Sequence, residues 1–121
     1  MARFRLSRSA QADLVDILAK SAEQWGVDGR RRYAVILATA MRTIAADPKG
    51  PATRDRAELL SGVRSFHLRH ARSDDPKAKV RRPVHILYYR VVQSGLIEVV
   101  RVLHERMEPR RHVGAQIDGR Y

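Results

Sequence analysis

The chain has 121 residues, 44% of them hydrophobic, and a formal net charge of +11 from 24 basic and 13 acidic side chains. That length allows one domain with an ordinary apolar core, and the composition excludes a disordered or collagenous chain. With no cysteine, disulfides and thiolate metal sites are excluded; with no run of about 18 apolar residues, a membrane-spanning helix is not expected. The amino end has no apolar signal-peptide stretch, so a soluble cytoplasmic protein is expected. Residues 1–50 carry nine basic and five acidic side chains, a net +4, and residues 51–121 carry fifteen and eight, a net +7. Arginine outnumbers lysine twenty to four, and guanidinium forks suit carboxylates and phosphates. The expected partner is therefore a macromolecule, either nucleic acid or an acidic protein.

In chain order, Arg3-Phe4-Arg5-Leu6 alternates polar and apolar and predicts a short strand. Ser7 offers a helix cap, and Ala10, Leu14, Ile17, Leu18, Ser21 and Trp25 recur at spacings of three and four on one helical face. Asp16 and Lys20 form a favourable i,i+4 pair, and Gly26 ends the helix. Asp28 is placed to cap a second helix whose stripe is Tyr33, Leu37, Ala40, Met41 and Ile44. Asp47-Pro48 stops it, because proline disfavours helical geometry in the preceding residue. Two amphipathic helices joined by about three residues predict an antiparallel hairpin. Residues 48–62 read as a connector with at most one helical turn.

The period then changes. Val63 to Arg69 alternates, with Phe66 and Leu68 on one face beside Arg64. Val84–Val92 and Leu96–Leu103 are apolar on both faces, the mark of central strands covered on both sides, and Gln93-Ser94-Gly95 is the turn between them. Ala71–Pro83 is a polar, basic loop, long enough to be mobile. The expected fold is α+β in the order β-α-α-β-β-β, a helical hairpin on a small antiparallel sheet.

All five histidines lie between positions 67 and 112, and none has a partner at a recognised ligand spacing, so no metal and no cofactor are expected. His67 and His70, three apart on a predicted strand, point to opposite faces. Neither the dinucleotide nor the P-loop glycine pattern occurs. From Arg101 onward a buried strand runs into a basic exit, where His104, Arg106, Arg110, Arg111 and His112 form a possible cationic rim. The plainer reading pairs Arg106 with Glu98 or Glu108 and leaves the rest solvated.

Several pieces, in order, carry a resemblance: Arg5-Leu6-Ser7 leading to Ala10, Asp13 and Leu14; Glu23-Gln24-Trp25-Gly26; Gly62-Val63-Arg64-Ser65-Phe66; His85-Ile86-Leu87-Tyr88-Tyr89-Arg90-Val91; and Arg101-Val102-Leu103-His104 with Arg106-Met107 and Arg111-His112. Over about residues 3–113 the chain resembles the ParE toxins of type II toxin–antitoxin pairs, within the RelE/ParE superfamily. The resemblance implies one toxin domain at 1–113 with a tail at 114–121, silenced by a ParD-like antitoxin that alone contacts operator DNA. It implies an antitoxin dock between helices and sheet at Leu14, Trp25, Arg30, Arg31 and Arg42. It implies DNA gyrase as the target, bound without chemistry through Arg64, His104, Arg106, Arg111 and His112. The alternative, from the RelE branch, is a ribosome-dependent mRNA endonuclease with His85, His104, Arg106 and His112 as catalytic groups. The loop at 71–83 is longer than a minimal ParE hairpin, and the tail extends past the matched region.

Overall fold

A computed structural model describes residues 2–72 and 79–116. Strand β1 (Arg3–Leu6) leads into a helical stretch α1 (Arg8–Ala46), followed by β2 (Arg54–Asp55), β3 (Val63–His67), β4 (His85–Gln93), β5 (Leu96–His104) and the short helix α2 (Val113–Gln116). Single 3₁₀ turns follow β3, at Leu68–His70, and precede α2, at Pro109–Arg111. His70 therefore sits in a turn and not on a strand with His67. The centre of the loop at 71–83 and residues 117–121 of the expected tail lie outside the described residues.

The strand order is β1-β5-β4-β3-β2. Pairing is antiparallel from β2 to β5, while β1 joins β5 in parallel, so the sheet is mixed. The connector holds a two-residue strand, β2, where one helical turn was the most that composition suggested; β2 extends the sheet by pairing Arg54 with Ser65 and Asp55 with Arg64. The fold is nonetheless the expected α+β arrangement of helix on sheet.

Ser7 fixes the start of α1. Its hydroxyl accepts the Ala10 N–H at 3.0 Å and donates to the Val100 carbonyl at 2.8 Å, so one side chain caps the helix and ties it to β5. The helical stretch is broken by one residue, Gly26, at φ 74° and ψ −173°, a conformation that side-chain-bearing residues avoid. Unbroken, 39 residues of helix would run about 58 Å, roughly twice the length of a nine-residue strand. Instead the two arms fold back. Asp13 reaches Arg101 and Val102, Tyr33 reaches His85 (paired with His104 at the sheet's end), and the Pro48 carbonyl returns to the Tyr89 hydroxyl at 2.5 Å. The arms thus run out along β5 and back along β4, as an antiparallel hairpin turned by a single glycine. Close approach at the tip also demands glycine at position 29, where a Cβ would lie 2.1 Å from the Trp25 Cβ.

The helix-facing core joins Ala10 and Ile17 of the first arm with Tyr33, Leu37, Ala40, Met41 and Ile44 of the second, over Phe66, Leu87, Tyr89, Ile97, Val99 and Val102. Leu14 and Leu18 are only half-buried at its edge. The opposite face packs Val63, Tyr88, Val100 and Leu103 under Leu59 and Leu60 of the connector and Val113 of α2. Both faces of β4 and β5 are thus covered, which explains their continuous apolar runs. Beyond the second core, Glu98, 6% exposed, joins three strands by accepting from Arg5 on β1 at 3.1 Å and from Arg90 on β4 at 3.0 and 3.2 Å.

At Tyr88/Tyr89 the register shifts: Tyr88 opposes Arg101 and Tyr89 opposes Val99, so Val100 is an extra residue on β5. Past Leu6 the β1 side of β5 has no strand partner among the described residues. Asp13 takes that place, accepting from the Arg101 guanidinium at 2.8 and 2.8 Å and from the Val102 N–H at 2.9 Å. Replacing Asp13 by Ala leaves Arg101, whose side chain is 14% exposed, without its counter-charge and should cost about 3–5 kcal/mol in urea unfolding. Leu37→Ala should cost about 2–5 kcal/mol and Leu14→Ala clearly less. Equal losses at the two leucines would contradict the burial described here.

Candidate functional site

The hairpin tip, the loop at 79–84 and the His104 end of the sheet enclose a groove of about 1010 Å³. Its floor is built by Tyr33, His85, Val102 and His104. One accepted proton fixes the order of the floor. The Val84 N–H donates to the Tyr33 oxygen at 3.2 Å, so the Tyr33 hydroxyl proton is free to go to His85 Nδ1, 2.6 Å away. With Tyr33 as the donor, His85 carries its ring proton on Nε2. Its ring lies edge-on to Tyr33 at 5.5 Å and to His104 at 5.6 Å between centroids. Burial, and then the neighbouring His104, push the His85 pKa down to about 4, so the imidazole is neutral at physiological pH. Burial pushes the Tyr33 hydroxyl up.

Beyond the floor the chain turns sharply. Glu105 N–H donates to the Val84 carbonyl at 2.7 Å, and the Arg106 N–H donates to His104 Nδ1 at 3.1 Å. Glu105 accepts from His67 Nε2 at 2.7 Å, while His67 Nδ1 accepts the Arg69 N–H at 3.0 Å. The hydrogen bond from His67 holds the Glu105 carboxyl below its ordinary pKa.

The walls combine apolar and cationic groups. Trp25 is 68% exposed and Met107 43% exposed, and both line the groove. Its cations are Lys20, Arg32, Lys79, Arg81 and Arg82, and its carboxylates are Asp13, Asp16 and Glu23, of which Asp13 is paired with Arg101. Lys20 is paired with Asp16 at 3.1 Å, as its spacing predicts. Of the residues expected at a partner dock, Trp25 lies in the groove and Leu14 at the core edge. Arg30, Arg31 and Arg42 are exposed outside it, Arg31 beside Asp28 at 3.5 Å and Arg42 beside Thr39 at 3.4 Å. Helical period alone did not show which of three consecutive arginines faces inward; Arg32 does. The contribution of the 79–82 segment was hidden too, because only the fold brings that loop over the hairpin.

The residues expected to reach a target divide among three places. Arg64 lies on the helix side of β3, donating to Thr53 at 2.9 Å, with its Nε buried and unpaired. His104 closes the groove floor, and Arg106 follows it, exposed. Arg106 makes no ion pair among the described residues: Glu98 is taken by Arg5 and Arg90, and the Glu108 side chain accepts the Arg110 N–H at 3.2 Å. Arg111 and His112 belong to the turn that leads to α2, whose Val113 packs in the opposite core. His85 and His104 thus stand together, and His112 closes the turn that leads to α2. Among the described residues no three His, Asp or Glu side chains gather as a metal site, and no helix is long and apolar enough to cross a membrane.

The sequence matches the model of the ParE toxin of type II toxin–antitoxin system, parDE, over residues 4–109. It is 35% identical over 111 residues to Toxin ParE1 of Mycobacterium tuberculosis (strain CDC 1551 / Oshkosh), covering 92% of this chain and 97% of the relative. It is 34% identical over 114 residues to Toxin ParE1 of Caulobacter vibrioides (strain ATCC 19089 / CIP 103742 / CB 15), covering 94% and 100%. The match spans β1 through the turn after β5 and so includes the hairpin, the groove floor and its exit. The chain belongs to the ParE toxin family and is a toxin of a type II toxin–antitoxin system.

The depressed pKa of His85 has a measurable consequence. The unfolded chain binds a proton near pH 6.5 and the folded chain only near pH 4, so stability falls as pH drops through that window and is fully present above it. His85→Asn keeps an acceptor for Tyr33 but does not titrate there. Its unfolding free energy should therefore depend less steeply on pH between about 4 and 6.5 than that of the wild type. Parallel slopes in urea titrations would contradict the neutral, buried imidazole.

Proposed function

We propose that this toxin is neutralised by a ParD-like antitoxin whose acidic, partly apolar segment lies in the groove, and that its free form inhibits DNA gyrase by binding. The groove carries the first part of this reading: it sets an exposed Trp25 and Met107 among five cations. An amphipathic acidic segment would bury the apolar anchors there and gain steering from the +11 charge. Operator DNA is contacted through the antitoxin, and the pair acts in the cytoplasm as a complex of toxin and antitoxin.

Binding is favoured over catalysis by the histidines. General acid–base cleavage of RNA needs two groups able to exchange protons about the reacting phosphate. His85 is committed through Nδ1 to Tyr33 and is too weak a base, at a pKa of about 4, to hold a proton at neutral pH. His104 Nδ1 is committed to the Arg106 backbone, and His112 sits in the turn leading to α2. Arg106, Arg111 and His112, exposed or half-exposed on the exit from β5, are the contacts proposed for gyrase, together with His104 and the separately placed Arg64.

Antitoxin-free protein should block supercoiling by purified gyrase and trap DNA breaks while leaving message intact on translating ribosomes. Cleaved message with unaffected gyrase would overturn the reading in favour of the nuclease branch. Trp25→Ala should weaken antitoxin binding about ten-fold or more by calorimetry, as an exposed aromatic anchor would. Arg106→Ala should weaken gyrase inhibition and leave antitoxin binding unchanged.

A further inference from the structure

Beside the large groove, on the other side of His104, lies a smaller pocket of about 290 Å³, lined by Arg82, Val84, His104, Glu105 and Arg106. That is the lower end of the range for small-ligand clefts. Three of its five residues carry N–H donors that the fold leaves unused. Arg82 and Arg106 are exposed, and neither guanidinium makes a direct ion pair or hydrogen bond among the described residues, although, after the His67 hydrogen bond, Arg82 helps to hold the Glu105 carboxyl low. The His104 ring accepts the Arg106 N–H on Nδ1, so its proton is on Nε2. Part of the pocket's frame is hydrogen-bonded backbone. Glu105 N–H bonds the Val84 carbonyl at 2.7 Å, and the Met107 N–H bonds the His104 carbonyl at 2.9 Å, which ties the 82–84 segment to the exit from β5.

We propose that this pocket binds a phosphate group, through the Arg82 and Arg106 guanidiniums and His104 Nε2–H. Two arginine forks flanking an imidazole donor match the several oxygens and the charge of a phosphate. An acidic protein segment is the less fitting occupant. A peptide anchor needs apolar surface to bury, and Trp25 and Met107 line the neighbouring groove and not this pocket. Protein–nucleic acid contacts, by contrast, are dominated by arginine and lysine on phosphate oxygens. The one adverse group is Glu105, whose carboxylate is engaged by His67 at 2.7 Å. It makes the site selective for a ligand with more than one negative oxygen, and its neutralisation should strengthen binding. The inference goes beyond the antitoxin and gyrase reading and does not depend on it. The phosphate can come from a free nucleotide or from a nucleic-acid strand, and the same site chemistry serves both.

The test uses the full chain free of antitoxin, with inorganic phosphate, a mononucleotide and a short single-stranded oligonucleotide as probes, followed by amide shifts in NMR and by fluorescence anisotropy. Phosphate should shift the amides of Arg82, His104 and Arg106. The double variant R82Q/R106Q should weaken binding about ten-fold or more, and E105Q should tighten it. R3Q/R8Q, the same loss of two charges away from the pocket, should change affinity less than about two-fold. Tighter binding of the oligonucleotide than of the mononucleotide identifies a strand as the source; equal affinities identify a small phosphate ester. The proposal is overturned if no phosphate probe shifts these amides at physiological salt. It is also overturned if R3Q/R8Q costs as much as R82Q/R106Q, or if an acidic peptide of equal charge competes on equal terms with the oligonucleotide. Each variant is checked for wild-type thermal unfolding, and gyrase inhibition is assayed on the same preparations. Absence of phosphate binding by the wild-type protein, with its gyrase inhibition intact, sinks only this inference.

Discussion

The carboxylate of Asp13 is the contact on which the rest of the architecture depends. Strand β1 is only four residues long, and beyond Leu6 the neighbouring edge of β5 would face the helices with its backbone unpaired. A carboxylate one helical turn and a half into the first arm accepts both the Val102 N–H and the Arg101 guanidinium. It thereby finishes in side-chain chemistry what β1 begins in backbone chemistry. Leaving either the N–H or the guanidinium unpaired at this depth would be costly, so the first arm is committed to lie along β5. Ser7 adds a second tie a turn earlier. The direction of the first arm, set by these contacts, determines where Gly26 must reverse the chain, and so where the hairpin tip meets the sheet.

The groove follows from that placement. A tip carried past the end of β5 leaves its inner side without a strand to pack on, and the space is closed by Tyr33, His85 and His104 below and by the 79–84 loop above. The floor is polar yet satisfied: a backbone N–H points Tyr33 at His85, and His85 is held neutral against His104. A hydrogen-bonded floor beneath walls in which cations outnumber carboxylates suits the grip of an acidic partner, because the attraction comes from the rim while the floor asks for no counter-ion. The same clamp on Glu105 and Arg106 that ends the floor shapes the smaller pocket beyond it, so the two sites share Arg82, Val84 and His104 as a common wall.

The far side of the sheet is built differently. There Glu98 bridges Arg5 and Arg90 across three strands, and Arg56 lies over the Tyr88 ring at 5.8 Å. Val113 fills the second core, anchoring the basic exit onto the sheet up to that point. Arg106, Arg110 and Arg111 are consequently displayed on capped turns, with Glu108 accepting the Arg110 N–H and Arg111 closing onto the Glu108 carbonyl. Charges presented on such short, hydrogen-bonded turns lose less entropy on binding than charges on a free tail.

Much of this was legible in the residues themselves, because it is local. The strand at Arg3–Leu6, the Ser7 cap, the glycine break, the stop at Asp47 and the two continuous strands follow from periodicity, capping and turn chemistry within a few residues. The ordered resemblance along residues 3–113 pointed to the ParE family. Period could not show that Trp25 would be exposed while Ile17 on the same stripe is buried, since that depends on how far the tip overhangs the sheet. Nor could it reveal β2, whose two residues carry no pattern and exist as a strand only because β3 offers an edge. The choice of Arg32 over Arg30 and Arg31, the parallel docking of β1, and the meeting of Arg82 with Arg106 are all long-range outcomes. The sequence by itself determined the elements, their order and the excess of positive charge; only the tertiary structure decided which of those charges share a pocket. The reason is physical: helix and strand periods are set by neighbouring residues, whereas a binding site is made by side chains far apart in the chain that packing brings within a few ångströms.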